Sequence, residues 1–284
     1  MKNFVILACL FAILVPASAF GAAVTLSNVP AYDWYHGCTP TAVGSVMGYW
    51  DLHGYPNMFD ASGWAAVSQT VNVQDQISSP AHNAKYDPTP DNPNLPVPPK
   101  TSIADYLGTS VDPLGYGSTS VSNIIYGMTG YASYRGYAST ATQYTYIMGL
   151  LSLTWSKLAS EINAGRPMVF NVDSDGDGKN DHSVPVLGYD DRGSGGKWFG
   201  CYTTWSEDET IQWYQFTGMS SGHLFGISSG ESFKLNTAPQ SYALTSGAAG
   251  DGASGMQPVP EPSAVMLLLL GLAGLSVFAK RLRK

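Results

Sequence analysis

The pattern of apolar and polar positions changes character along this chain. Between Cys38 and Trp50, the residues Val43, Val46, Met47 and Trp50 recur at helical spacing. Pro40 falls in the first turn, where its missing amide has no helical partner to lose. A helix over 38–50 is therefore predicted. A second helix is expected to begin near Ser102, in SIADYLG. A third stripe of Trp155, Leu158, Ala159 and Ile162 predicts a helix after Thr154, closed by Gly165 ahead of Pro167. Four strand-like runs follow, over 168–172, 183–188, 198–202 and 211–216. Residues 20–30 read as a leading strand or loop. Residues 51–100 read as irregular and end in a Pro-rich surface loop, YDPTPDNPNLPVPPK. No clear period stands out from Gly108 to Gln143, and no internal repeat is present. Helices first and an antiparallel sheet afterwards predict an α+β fold.

Both ends depart from this pattern. Residues 1–19 carry one cation, Lys2, then an apolar run from Phe4 to Val15 and the small triplet Ala17, Ser18 and Ala19. This is the layout of a secretory signal peptide cleaved after Ala19, so the chain is expected to be exported. After Phe233 the composition shifts to Ala, Gly and Ser, which predicts a flexible linker over 236–257. Residues 258–284 open with PVPEPS, continue through seventeen uncharged residues from Ser263 to Ala279, and end in KRLRK. Seventeen residues is the short limit for a membrane span, and the basic tip belongs on the cytoplasmic side. The three parts together resemble the PEP-CTERM sorting signal of exported bacterial proteins. That resemblance implies cutting near Pro260–Pro262 by an exosortase-like, transpeptidase-like membrane enzyme, and at least transient membrane contact through 263–279 at the cell envelope. A plain tail anchor is the alternative.

Between these ends lie about 240 residues, enough for one domain with a substantial core. Without Lys2 and the four tail cations nine basic residues remain, and without Glu261 twenty acidic ones, so the body carries a charge near −11. Such a surface argues against nucleic acid as a partner, because phosphate binding needs a basic patch. It suits cations.

Cys9 belongs to the signal peptide, which leaves Cys38 and Cys201. Two cysteines in an exported protein are compatible with a disulfide. Cys38 also has the setting of a nucleophile. A thiolate at a helix N-terminus is favoured by the unpaired amides and the helix dipole, and the Cys38 amide can itself donate to an oxyanion. Of five histidines, His182 is the best placed base, immediately before the apolar strand SVPVLGYDD.

GCTPTAVGSVMGYWD, SIADYLGTS, KLASEINAGRPMVF and DHSVPVLGYDD, in that order, resemble the bacteriocin-processing-peptidase-like branch of the papain-like cysteine peptidases. The likeness runs from about Val29 to Phe233, within a domain placed at 20–235. It implies a papain-like fold in which an N-terminal Cys-bearing helix packs on a twisted antiparallel sheet that carries the histidine. It also implies Cys38 as nucleophile and His182 as general base, acting on a peptide or protein substrate. Two positions depart from the family pattern. The orienting Asn or Asp is replaced by Thr203 in CYTTW, with Asp190, Glu207 and Asp208 as nearby acids. No Gln lies upstream of Cys38 to complete an oxyanion hole, with Tyr32 or His36 as alternative donors. The readings that follow are an exported cysteine peptidase or amide hydrolase, a catalytically silent surface or matrix protein of the same fold, and an acyltransferase on the same dyad.

The run DSDGDGKND places Asp173, Asp175, Asp177 and Asp181 at positions 1, 3, 5 and 9 of an EF-hand-like loop, with Gly178 at 6 and the Lys179 carbonyl at 7. Position 12 is Val184, so the usual bidentate Glu is missing. A structural calcium ion that orders the approach to His182 is the expectation. A solvated acidic hairpin loop is the alternative.

Overall fold

The computed structural model describes residues 23–59, 69–84, 99–111, 116–146, 152–206, 210–220 and 222–236. The chain divides into two units, 1–241 and 242–284, and every described residue belongs to the first. The signal peptide, the linker beyond Asn236, the sorting segment and its 263–279 span lie outside the described residues, as do Glu207, Asp208 and most of the Pro-rich loop. No described helix is long and apolar enough to cross a membrane.

The first long element is the helix α1 (Cys38–Leu52), two residues longer than predicted. Twelve of its fifteen residues are buried, so it is a core helix rather than a one-sided amphipathic one. Gly44 lies against Ile77 and Gly48 against Tyr32, which lets neighbouring segments approach its backbone. Two short helices, α2 (Val71–Ile77) and α3 (Pro80–Asn83), interrupt the region expected to be irregular. Each is started by a hydroxyl cap: Thr70 accepts from the Val73 amide and Ser79 from the His82 amide. Next come α4 (Ile103–Leu107), where expected, and α5 (Ile124–Tyr134). The latter escaped prediction because Gly127 and Gly130 sit inside it. There they make room for Leu107 and Tyr106, so α4 and α5 pack closely. The last helix, α6 (Trp155–Asn163), follows the predicted stripe, with Thr154 capping the Lys157 amide.

Among the described residues the sheet has seven antiparallel strands: β1 (Val24–Thr25), β2 (Ser139–Thr145), β3 (Met168–Asp173), β4 (His182–Asp191), β5 (Lys197–Cys201), β6 (Gln212–Gln215) and β7 (Gly226–Leu235). Their order is β2-β7-β3-β4-β5-β6, with β1 pairing β4. β3 to β6 match the predicted runs, whereas β2 and β7 were not anticipated. Alternation sends Val169 and Phe233 to a cluster shared with α1, α4 and α5. It sends Phe170, Val172, Val184 and Val186 to a second cluster closed by Leu158 and Ile162 of α6. Both faces of the sheet are therefore covered. The Cys-bearing helix on an antiparallel sheet agrees with the expected α+β architecture.

Candidate active site

Cys38 is the first residue of α1, and His182 is the first residue of β4. The turn into the helix needs Gly37, whose φ of 142° is rarely adopted by residues with side chains. The segment carrying Gly117 lies directly over this turn, so close that a Cβ on Gly117 would collide with the His36 carbonyl. On the other side, β4 is held in register by β3, with Val172 opposite His182 and Asn171 opposite Ser183. The helix mouth and the strand start thus meet. The Cys38 sulfur and the His182 imidazole line one cleft there and interact with each other.

Burial alone would push the Cys38 thiol up, since it disfavours the charged form. The His182 hydrogen bond and charge, the Ser183 amide and the Thr39 hydroxyl outweigh it, and the thiol lies below its ordinary value. For His182, burial opposes the imidazolium. The hydrogen bond and charge of Cys38, then the Thr203 carbonyl and the Asp181 charge, win, and its pKa is raised. Each displacement favours the charged form of its own group, thiolate on Cys38 and imidazolium on His182.

The third position is filled differently from expectation. Thr203 meets His182 through its main-chain carbonyl, which accepts from Nε2 at 2.7 Å, and not through its hydroxyl. The next residue, Thr204, has φ 60°, and this backbone turn follows directly on the inward-facing carbonyl. Its hydroxyl is 3.4 Å from the same nitrogen. Because a carbonyl can only accept, Nε2 carries the hydrogen, which leaves Nδ1 for the sulfur. Trp205 stacks on the imidazole at 4.7 Å and 26° while remaining 55% exposed, so it covers the ring like a lid on the solvent side. Asp190 does not substitute: it pairs with Arg192 at the far end of β4.

Two other expectations are corrected. Tyr32 is fully buried, with its hydroxyl against Gly48, ten residues along the helix from Cys38, and so is no oxyanion donor. Cys38 and Cys201 are both free thiols. Cys201 sits in the core with Leu158, Phe170 and Phe225, where burial pushes its thiol well up. Its ladder partner Val186 belongs to the same core, so the Cys201 sulfur lies among apolar side chains.

A cleft of about 230 Å³ opens over the dyad, lined by Cys38, Thr39, Asn171, Asp181, His182 and Ser183, with Gly117, Ser118, Thr119 and Val121 as the opposite wall. That wall left no signal in the sequence, because small residues in an aperiodic stretch acquire meaning only by apposition.

The acidic run forms the hairpin loop between β3 and β4. Carboxylate oxygens of Asp173, Asp175 and Asp177 lie within 4.8 Å of one another. Asp173 is buried and accepts from the amides of Gly176, Asp177 and Gly178. Asp181 is turned to Ser174, accepting from its amide and its hydroxyl. The Lys179 ammonium pairs with Asp177 at 2.7 Å. Three hard oxygen donors suit calcium in type, and Asp181 is not among the converging group.

A helix that presents a thiol at its mouth, packed on an antiparallel sheet that delivers an imidazole, is the layout of a cysteine peptidase-type fold. The chain belongs to the Peptidase_C39-like family, whose model matches residues 26–221. Residues 258–284 match the PEP-CTERM protein-sorting motif, which implies an exosortase-type sorting partner and association with the cell envelope. Among solved structures, the active wild-type interpain A cysteine protease of Prevotella intermedia is similar to this chain, with 11% identity, a TM-score of 0.43, and coverage of 75% of this chain and 95% of that one. No curated protein matches the chain.

Proposed function

We propose that this protein is an exported cysteine peptidase or amide hydrolase that works through Cys38 and His182. The observation that carries this reading is the meeting of Cys38 and His182 in one cleft, with the two pKa values displaced in opposite directions. In the reaction, the thiolate adds to the amide carbonyl of a peptide or protein substrate. The Cys38 amide donates to the oxyanion, and His182 passes its Nδ1 proton to the leaving amine. Neutral His182 then takes a proton from water, which attacks the thioester, and the thiolate is expelled. Thr203 holds the imidazole tautomer through its carbonyl, and the stacked Trp205 shields that bond. The sorting motif supports export.

Calcium is proposed as a structural ion held by Asp173, Asp175 and Asp177. It would supply charge neutralisation at the end of β3 and no chemistry at the dyad. Asp173 follows the residue paired with His182, so the loop borders the base.

The test uses the full chain, iodoacetamide labelling at neutral pH and hydrolysis of an unbiased peptide pool. Cys38→Ala should abolish both, and His182→Ala should slow labelling by ~10-fold or more, given that general-base assistance is commonly worth 10²–10⁴. Labelling indifferent to His182, with no peptide cleaved, would end the hydrolase reading. One observation favours the alternative, a silent calcium-stabilised surface or matrix protein: among the described residues His182 is oriented by a neutral carbonyl. In serine proteases, loss of the orienting carboxylate costs about 10⁴-fold. On that reading the thiolate forms but no peptide turns over.

A further inference from the structure

Behind the nucleophile runs a chain of buried polar side chains that the dyad does not use. Thr39 Oγ1 lies 2.9 Å from Ser183 Oγ, and Ser183 Oγ donates to Asn171 Oδ1 at 2.7 Å. Asn171 Nδ2 donates to Ser229 Oγ at 2.8 Å and to both Glu231 oxygens at 3.0 and 2.9 Å. Gln143 Nε2 also donates to Glu231, at 3.0 Å. Thr39, Asn171, Ser183, Ser229 and Glu231 are all at least nine-tenths buried. Burying five polar side chains costs stability unless each is paired, and apolar residues would serve a plain core better.

Counting protons gives the chain a direction. Asn171 must present its carbonyl to Ser183, because its NH₂ group is taken by Ser229 and Glu231. Ser183 therefore spends its only proton on Asn171 and can only accept from Thr39. The Thr39 proton has two acceptors within reach, Ser183 Oγ and the Cys38 sulfur. A neutral thiol or thioester sulfur is a weak acceptor and a thiolate a strong one.

We propose that Thr39 is a switching donor to the nucleophile: its hydroxyl rests on Ser183 when the sulfur is neutral or acylated and turns to the sulfur when the thiolate forms. Asn171 and Glu231 are positioning residues that set the polarity of the relay. The proposal rests on the reading of Cys38 as a nucleophile. It adds a thiolate-specific donor to those of His182 and the Ser183 amide, with no unpaired hydroxyl in the other states. Glu231, which burial pushes up to about 8, is then a largely uncharged anchor that places no anion behind the thiolate. The titratable groups bordering the sulfur are His182 and Asp181. The opposite wall brings Gly117, Ser118 and Thr119, and β3 brings the neutral Asn171.

The test is the pH dependence of Cys38 alkylation by iodoacetamide in the full chain. Thr39→Val, close in shape, should raise the midpoint by about one pH unit, the worth of one charge-assisted hydrogen bond. Thr39→Ser should restore it. Ser183→Ala keeps the amide that faces the sulfur and removes the competing acceptor, so its midpoint should fall. In the Thr39→Val background, Ser183→Ala should change nothing. A Thr39→Val midpoint equal to wild type, or a Ser183→Ala effect that persists without the Thr39 hydroxyl, overturns the relay. Failure of the dyad is a separate result: a wild-type midpoint of an ordinary thiol, unmoved by His182→Ala.

Discussion

At the scale of single residues, the same burial has opposite consequences for the two thiols. Cys38 is half-buried beside His182, and its partners overcome the desolvation that would raise it. Cys201 has no such partner to offset its complete burial. Native protein at pH 7 should therefore take up one alkyl group, on Cys38, with Cys201 reacting only after denaturation. Two equivalents on the folded chain would refute this. Activity should follow a bell in pH. Its acid limb lies below the ordinary thiol value because Cys38 is lowered, and its alkaline limb lies above the ordinary imidazole value because His182 is raised. Glu231 makes a stability prediction. Its folded pKa is raised from 4.5 to about 8. The proton it holds stabilises the fold fully below the unfolded value, and that contribution is lost as pH rises towards 8. Glu231→Gln should thus gain on wild type by several kcal/mol between pH 4.5 and 8.5, compared by denaturant unfolding at both. An equal difference at the two pH values would show that Glu231 does not titrate as assigned.

At the scale of elements, the hairpin between β3 and β4 couples the acidic loop to the base. The Asp181 amide donates to the Val172 carbonyl, and Val172 is the ladder partner of His182. A cation held by Asp173, Asp175 and Asp177 would relieve their mutual repulsion and stiffen the entrance to β4. Adding calcium at about a hundredfold above its dissociation constant should stabilise the fold by roughly 2–3 kcal/mol. Chelation should reverse the rise in melting temperature and slow Cys38 labelling. A melting curve indifferent to both additions would remove calcium from this loop. The strands themselves differ in how visible they were. β3 is buried throughout and β4 over its first seven residues, and both fall on runs that read as strands in the sequence. β7 places Ser229 and Glu231 at buried positions, so its alternation reads as polar although it lies between β2 and β3. β7, one of the two strands not anticipated, is the one that anchors the polar relay, as expected where local rules yield to a site.

At the scale of the whole molecule, the domain and the sorting segment answer to different physics. The first unit packs apolar clusters against both faces of one sheet, and the family match ends at residue 221, well before the sorting motif begins at 258. Deleting 258–284 should leave the melting temperature and the alkylation rate of the domain unchanged, while fractionation should show it released from the envelope. A large loss of thermal stability in that truncation would mean that the tail contributes to the fold.

The sequence by itself determined the helix that begins at Cys38, the strand that follows His182, the acidic loop and the sorting signal. Each of these is written in local periodicity, capping or composition, which act over a few residues. Only the tertiary structure decided that the imidazole is held by the Thr203 carbonyl, that Cys201 stays in the core, and that Gly117 to Thr119 wall the cleft. It alone revealed the line from Thr39 to Glu231. These depend on main-chain atoms and on partners up to 144 positions apart, such as Asn171 with Ser229 and Thr39 with Ser183. Contacts of that range are set by packing, and no local pattern in the chain encodes them.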